Sequence, residues 1–329
     1  MTNSNKLNKN LAFIFPGQGS QSLKMLADIA AEFTEVKDTF AIASNVLGYD
    51  LWQLTQQGPA EELDKTIHTQ PALLTASYAI WRIIQANTAI KPTYLAGHSL
   101  GEYTALVCAN ALDFADAVKL VAARGQYMQE AVPSGIGAMG AIIGLDDAAV
   151  TTICEEAIQS SQSADEILAP ANFNSIGQVV IAGHRVAVEC ALELAKEKGA
   201  KMAVFIPVSV PSHCLLMAPA AARLAALLAA TPIQSPTIPV INNIHAVAYT
   251  TADAIRDGLA QQLTQPVQWV ASIQAFIKTG VTTIIECGPG KILTGLNKRI
   301  DKNLHLLTTS DLPGLRAVLA WGAENSHVA

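Results

Sequence analysis

The pentapeptide Gly97-His98-Ser99-Leu100-Gly101 is the segment of this chain best suited to covalent chemistry. Glycines two residues to either side of a serine permit a sharp, strained turn that a bulky Cβ would block. The apolar run from Thr93 to Ala96 reads as a buried strand, and Glu102 to Ala109 reads as a helix. Strand, sharp turn and helix in that order are what a nucleophile elbow requires. The serine oxygen then faces solvent at a helix N-terminus, where free amides and the helix dipole stabilise an oxyanion. The alternative is a glycine-rich turn with a capping serine, although a plain cap does not need glycine on both sides.

A serine hydroxyl is a weak nucleophile and needs a base. Of the seven histidines, His68, His245, His305 and His327 have no motif around them. His184 follows Gly183 in a turn, and His98 stands beside the serine in the chain, so its ring is expected to point away. His213, in Val210-Pro211-Ser212-His213, lies in a loop where the chain passes from one unit to the next, the kind of junction where clefts form. It is the histidine the spacing favours as base. The competing reading of each histidine is a polar residue satisfied within the fold.

These groups must be positioned by the surrounding elements. Leu11 to Phe15 is a short apolar strand that ends in the loop Pro16-Gly17-Gln18-Gly19-Ser20. Helical periodicity runs from about Met25 to Val46, Ala72 to Ala86 and Asp113 to Gln129. After Pro133-Ser134-Gly135 the order changes to β-α-β-β-α-β: Ala138–Ile143, Asp146–Ser160, Ile167–Asn172, Gln178–Ala182, Val186–Lys198 and Lys201–Val208. That is the split unit of ferredoxin-like folds. Helices then follow over Leu215–Ala230, Ala252–Leu263 and Val267–Lys278, with strands at Ile238–Ile241 and Thr282–Cys287. The expected fold is α/β: a mainly parallel sheet with helices on both faces, an α/β-hydrolase-like core, plus an inserted ferredoxin-like small subdomain. The expected boundaries are a tail over 1–10, a catalytic α/β domain over 11–132 and 209–329, and the subdomain over 133–208.

Half of the 329 residues are apolar and 15% are charged, which supplies a sizeable core and argues against disorder. A formal net charge of -6 speaks against nucleic acid as a partner. The five cysteines lie far apart with no metal-binding spacing, so neither a disulfide framework nor a metal site is expected, and a reducing compartment is. No apolar stretch is long enough to span a bilayer, and the polar start MTNSNKLNKN lacks an apolar signal core. The expectation is a cytoplasmic monomer without membrane contact or cofactor.

Several motifs occur together and in order: Phe15-Pro16-Gly17-Gln18-Gly19-Ser20-Gln21, Gly97 to Glu102, Arg124, NFNSIGQVVIAG from Asn172 to Gly183, Pro211-Ser212-His213 and Glu286-Cys287-Gly288-Pro289-Gly290. In these the chain resembles malonyl-CoA:acyl-carrier-protein transacylases, over about residues 11 to 300. The resemblance implies that Ser99 is the acylated nucleophile and that His213 is first base and then acid. It implies that the backbone amides of Gln18 and Leu100 form the oxyanion hole and that the backbone carbonyl of Gln262 orients the histidine. Arg124 would hold the malonyl carboxylate. By its own surroundings, Val121, Ala122, Ala123 and Gly125, that arginine reads equally as a fork for a carboxylate or as a side chain snorkelling from a packed face. The implied substrates are malonyl-CoA and acyl-carrier protein, sharing one cleft in a ping-pong scheme.

Acyl-carrier proteins are acidic, so a chain at net -6 needs a local basic patch to meet one. Lys291, Lys298, Arg299 and Lys302 are the candidates, the other reading being a solvated helix face. Two competing functions use the same residues differently. A serine hydrolase or thioesterase would share Ser99 and His213, and a scaffold that binds carrier protein would use neither.

Overall fold

The computed structural model describes residues 8–160, 165–208 and 210–325, with the backbone alone at Asn8 and Lys9. Its strands in chain order are β1 (Asn8–Phe15), β2 (Pro92–Gly97), β3 (Gly137–Ile143), β4 (Leu168–Ser175), β5 (Gln178–His184), β6 (Met202–Phe205), β7 (Val240–Ile241), β8 (Thr283–Glu286) and β9 (His305–Thr308). They form two sheets. The larger is parallel throughout in the order β7-β2-β1-β8-β9. The smaller is antiparallel in the order β4-β5-β3-β6, the arrangement of a ferredoxin-like unit.

The central position of β1 follows from its composition. Leu11 to Phe15 are all buried, without polar alternation, as a strand covered on both faces demands. On one face the long helix Thr66–Asn87 packs Trp81 edge-on against Phe13, with ring centroids 5.2 Å apart. On the other, Trp269, Ile273 and Phe276 of the helix Trp269–Lys278 close a second core with Ile14 and Ile284.

The small sheet is also two-faced. Ile142, Val179 and Ile181 pack beneath the helices Asp147–Gln159 and Arg185–Glu197, through Val150, Ile153, Val188 and Leu192. The opposite face carries Met139, Ala171, Val180 and Ala182 and meets Cys214, one residue beyond His213. Backbone bonds join the small sheet to the segment before the helix Trp269–Lys278: the Phe173 amide donates to the Val267 carbonyl at 3.0 Å and the Val267 amide to that of Ala171 at 2.9 Å.

Some elements differ from expectation. β1 begins at Asn8, ahead of Leu11, and the remaining residues of the expected tail, 1–7, lie outside the described residues. The expected helix from Met25 to Val46 is two, Ala27–Ala30 and Thr34–Leu47, interrupted where Phe33 is extended. The helix expected from Ala72 starts at Thr66 and runs through Pro71. Past Gly290, where the sequence offered no more than a solvated helix face as an alternative, the chain forms the helices Ile292–Ile300 and Leu312–Asn325 around β9. Among the described residues no helix is long and apolar enough to cross a membrane.

Candidate active site

Ser99 occupies the turn between β2 and the helix Gly101–Cys108, in left-handed geometry with φ 49°. That conformation costs a non-glycine residue about 1–2 kcal/mol and is held by its surroundings. The flanking glycines are sterically required. A Cβ on Gly97 would lie 1.8 Å from the Gly101 carbonyl carbon, and one on Gly101 would lie 2.1 Å from the Phe15 carbonyl oxygen. The elbow is thus clamped against the end of β1, where the His98 amide also donates to Phe15 at 3.0 Å.

His213 Nε2 lies 2.8 Å from Ser99 Oγ, and its Nδ1 lies 2.7 Å from the Gln262 backbone carbonyl oxygen. A carbonyl only accepts, so Nδ1 carries the proton and Nε2 presents a lone pair to the serine hydroxyl. Burial and the nearby Arg124 charge push the imidazole down to about 3, so it is neutral and basic in form at neutral pH. Here a backbone dipole orients the imidazole where serine hydrolases commonly use a carboxylate.

Arg124, 1% exposed, comes from the helix Phe114–Glu130. One Nη2 donates to Ser99 Oγ at 3.2 Å and to Gln262 Oε1 at 3.0 Å, and Nη1 donates to Gln70 Oε1 at 2.9 Å. Its Nε has no partner, and its guanidinium lies 5.5 Å from the Tyr103 ring. Of the two readings of this residue, the structure places a buried cation at the serine, with donor capacity unused.

A polar network lies behind the elbow. Glu102 accepts from Tyr249 Oη, from Gln262 Nε2 at 2.8 Å and from the Asn243 amide at 3.1 Å. Burial raises its carboxyl to about 7, and these donors together with Arg124 oppose the rise. The patterns of sequence missed Gln70, Asn243 and Tyr249. Gln70 had a signal, a lone amide at the head of the apolar stretch Pro71 to Leu74. Asn243 had none, because an asparagine after a strand looks like an ordinary turn residue.

The serine opens into a cleft at the junction of the two sheets' loops. One wall is the loop after β1 and the elbow, with Gln18 and Leu100. The facing wall is the small sheet's Met139, Asn172, Val180 and Ile206. Among the described residues no acceptor pairs with the backbone amide of Gln18 or of Leu100. His98 faces the same cleft without contacting the serine oxygen. Its Nε2 lies 2.8 Å from Asn174 Oδ1 and its ring packs on Trp269. His68 and His184 bond backbone groups elsewhere, and His245 and His305 are exposed and do not line the cleft. His327 lies outside the described residues.

Lys291 precedes the helix Ile292–Ile300, whose Ile292, Leu293 and Leu296 border the cleft. Lys298, Arg299 and Lys302 are exposed on or just after it. Arg299 Nη1 donates to Gln178 Oε1 at 2.6 Å, so this cation is engaged with the small sheet.

A serine at a strand-to-helix elbow, paired with an imidazole over a parallel sheet, defines a serine-dependent acyl-transfer enzyme. A family model described as acyl transferase domain matches residues 12–305. The malonyl CoA-acyl carrier protein transacylase of Escherichia coli K12 is 56% identical over 308 residues, 94% of this chain and 98% of that one. The solved transacylase of Coxiella burnetii superposes with a TM-score of 0.92 at 51% identity, covering 97% of this chain and 98% of that one. A malonyl-transacylase solved in complex with a type II polyketide acyl-carrier protein gives a TM-score of 0.92 at 51% identity, over 94% and 99% of the two chains. The chain belongs to the malonyl CoA-acyl carrier protein transacylases.

Proposed function

We propose that the protein moves a malonyl group from malonyl-CoA to the phosphopantetheine thiol of acyl-carrier protein through an ester on Ser99. The contact that carries this reading is the pairing of Ser99 Oγ with both His213 Nε2 at 2.8 Å and Arg124 Nη2 at 3.2 Å. A base activates the hydroxyl, and a buried cation beside it selects an acyl group that ends in a carboxylate.

The malonyl carboxylate enters against the guanidinium of Arg124, which lines the cleft beside Ser99 Oγ. Ser99 Oγ attacks the thioester carbonyl carbon while His213 Nε2 takes the hydroxyl proton. The negative charge gathers on the former carbonyl oxygen, at the amides of Gln18 and Leu100. The C–S bond breaks, and the imidazolium returns its proton to the departing coenzyme A sulfur. The carrier thiol then gives its proton to His213 and attacks the ester, and the imidazolium protonates Ser99 Oγ as it leaves. Gln262 holds Nδ1 of the base through its carbonyl throughout.

The same reading assigns carrier docking to Lys291, Lys298 and Lys302, with Arg299 bracing the helix against the small sheet. It divides the chain into a catalytic α/β domain over 11–132 and 209–329 and a ferredoxin-like subdomain over 133–208, acting as a monomer. A cytoplasmic setting suits the five free thiols.

Intact-mass measurement after mixing with malonyl-CoA tests the scheme. The expected result is one malonyl group per chain, absent from Ser99→Ala and discharged by carrier protein. Release of free malonate as the main product in the presence of carrier thiol would make the protein a hydrolase. No gain of mass would leave a scaffold.

A further inference from the structure

We propose that Asn243 is a positioning residue for acylation, holding the serine elbow by standing in for a strand residue that β7 lacks. The proposal rests on the reading of Ser99 as nucleophile. β7 is short: its ladder with β2 ends at Ile241, opposite Ala96. The backbone groups of β2 beyond that point need partners if the elbow is to stay aligned with the sheet.

The fully buried side chain of Asn243 supplies them. Its Oδ1 accepts from the Ser99 amide at 2.7 Å, and its Nδ2 donates to the Gly97 carbonyl at 2.6 Å. The planar carboxamide thus bonds the chain on both sides of His98, as a peptide unit of a neighbouring strand does. Its own backbone is anchored twice, the amide on Glu102 Oε2 at 3.1 Å and the carbonyl on the Gln268 amide at 2.7 Å. Gln262 Nε2 completes the clamp, donating to the Ser99 carbonyl at 3.1 Å and to Asn243 Oδ1 at 3.3 Å. Both backbone polar groups of Ser99 are therefore engaged by side chains from the segment after β7.

The chemistry of the position is specific. It needs an acceptor and a donor on one rigid group at the reach of a single methylene. Aspartate keeps the acceptor and loses the donor, alanine loses both, and glutamine is one methylene too long. Ser99 is held at φ 49° against its own preference. Loss of the clamp lets that peptide relax, and Oγ leaves the line to His213 Nε2.

The test is single-turnover acylation by malonyl-CoA, followed by intact mass, for the native protein, Asn243→Ala and Asn243→Asp. For the alanine variant the acylation rate is expected to fall on the order of 10²-fold, the scale of a small misplacement of reacting groups. For the aspartate variant a smaller fall is expected, since the Ser99 amide keeps its acceptor. The half-saturating malonyl-CoA concentration and the final extent of acylation should stay unchanged, because Arg124 and the cleft are untouched. Variants acylated as fast as the native protein overturn the assignment. So does an extent of acylation that drops with the folded fraction, or failure of both variants to fold, since Asn243 would then serve the fold and not the serine. If the native protein gains no malonyl group, it is the serine reading that fails.

Discussion

Arg124 Nη2 rests 3.2 Å from Ser99 Oγ, so the cation proposed to meet the substrate's carboxylate is bonded to the proposed nucleophile. The same charge helps keep His213 unprotonated. The proposed nucleophile, base and selecting cation form one electrostatic unit, with Gln262 bonded to both the base and the cation.

Arg124→Ala removes a buried partner for a carboxylate, an interaction worth about 2–4 kcal/mol. The kcat/KM for malonyl-CoA should fall about 30- to 1,000-fold, since 1.4 kcal/mol is tenfold. Neutral acyl-CoA esters should lose far less, because nothing in them needed the charge. Parallel kinetics with malonyl- and acetyl-CoA check this, and an equal loss for both would remove Arg124 from substrate selection.

The pH dependence follows from the depressed basicity of His213. Its folded value is about 3, below the ordinary 6.5. The neutral, competent form therefore persists as pH falls from 8 through 5, and acylation should show no inflection near 6.5. The linked stability has the matching sign: the unfolded chain takes up the proton first, so stability is lost as pH falls from about 6.5 toward 3. Replacing His213 with glutamine should flatten that part of a stability–pH curve. A native acid limb centred near 6.5 in the acylation rate would contradict the burial argument.

Gly97→Ala forces a Cβ to within 1.8 Å of backbone at Gly101, where no rotamer offers relief. The elbow must open, at a cost of about 3 kcal/mol or more. Denaturant unfolding should show this directly, and acylation should be lost with it. A variant of native stability would mean that the turn is not clamped as described.

If the proposed docking holds, charge reversal at Lys298 should act on the second half-reaction alone. Lys298→Glu should raise the KM for carrier protein about three- to tenfold at low salt, with the effect shrinking as salt screens it. Acylation by malonyl-CoA should be unaffected. Arg299→Glu additionally breaks the bond to Gln178, so Lys298 is the cleaner probe. Equal losses in both half-reactions would argue against docking there.

The elbow was legible before any coordinates because its requirements are local. Gly97, Ser99 and Gly101 encode a turn that only that spacing permits, and the strand and helix around it announce themselves by periodicity. The small sheet was legible for the same reason, its order of elements being written in alternating patterns between Ala138 and Val208. The last helices were given no bounds, although Ile292, Leu293, Leu296 and Ile300 recur at helical spacing, because Lys298, Arg299 and Lys302 after a glycine-rich loop drew a reading as basic surface.

By itself, then, the order of residues determined most of the elements, the serine elbow and the family, because backbone sterics and hydrophobic period act over a few neighbours. What only the tertiary structure decided is which distant groups converge on the serine. His213 lies 114 positions along the chain from Ser99, Asn243 lies 144, and Gln262 lies 163. A hydrogen bond between such residues leaves no mark on spacing. His213 was expected from its junction loop and the resemblance, Gln262 only through the resemblance, and Asn243 became visible only once the chain had closed around Ser99.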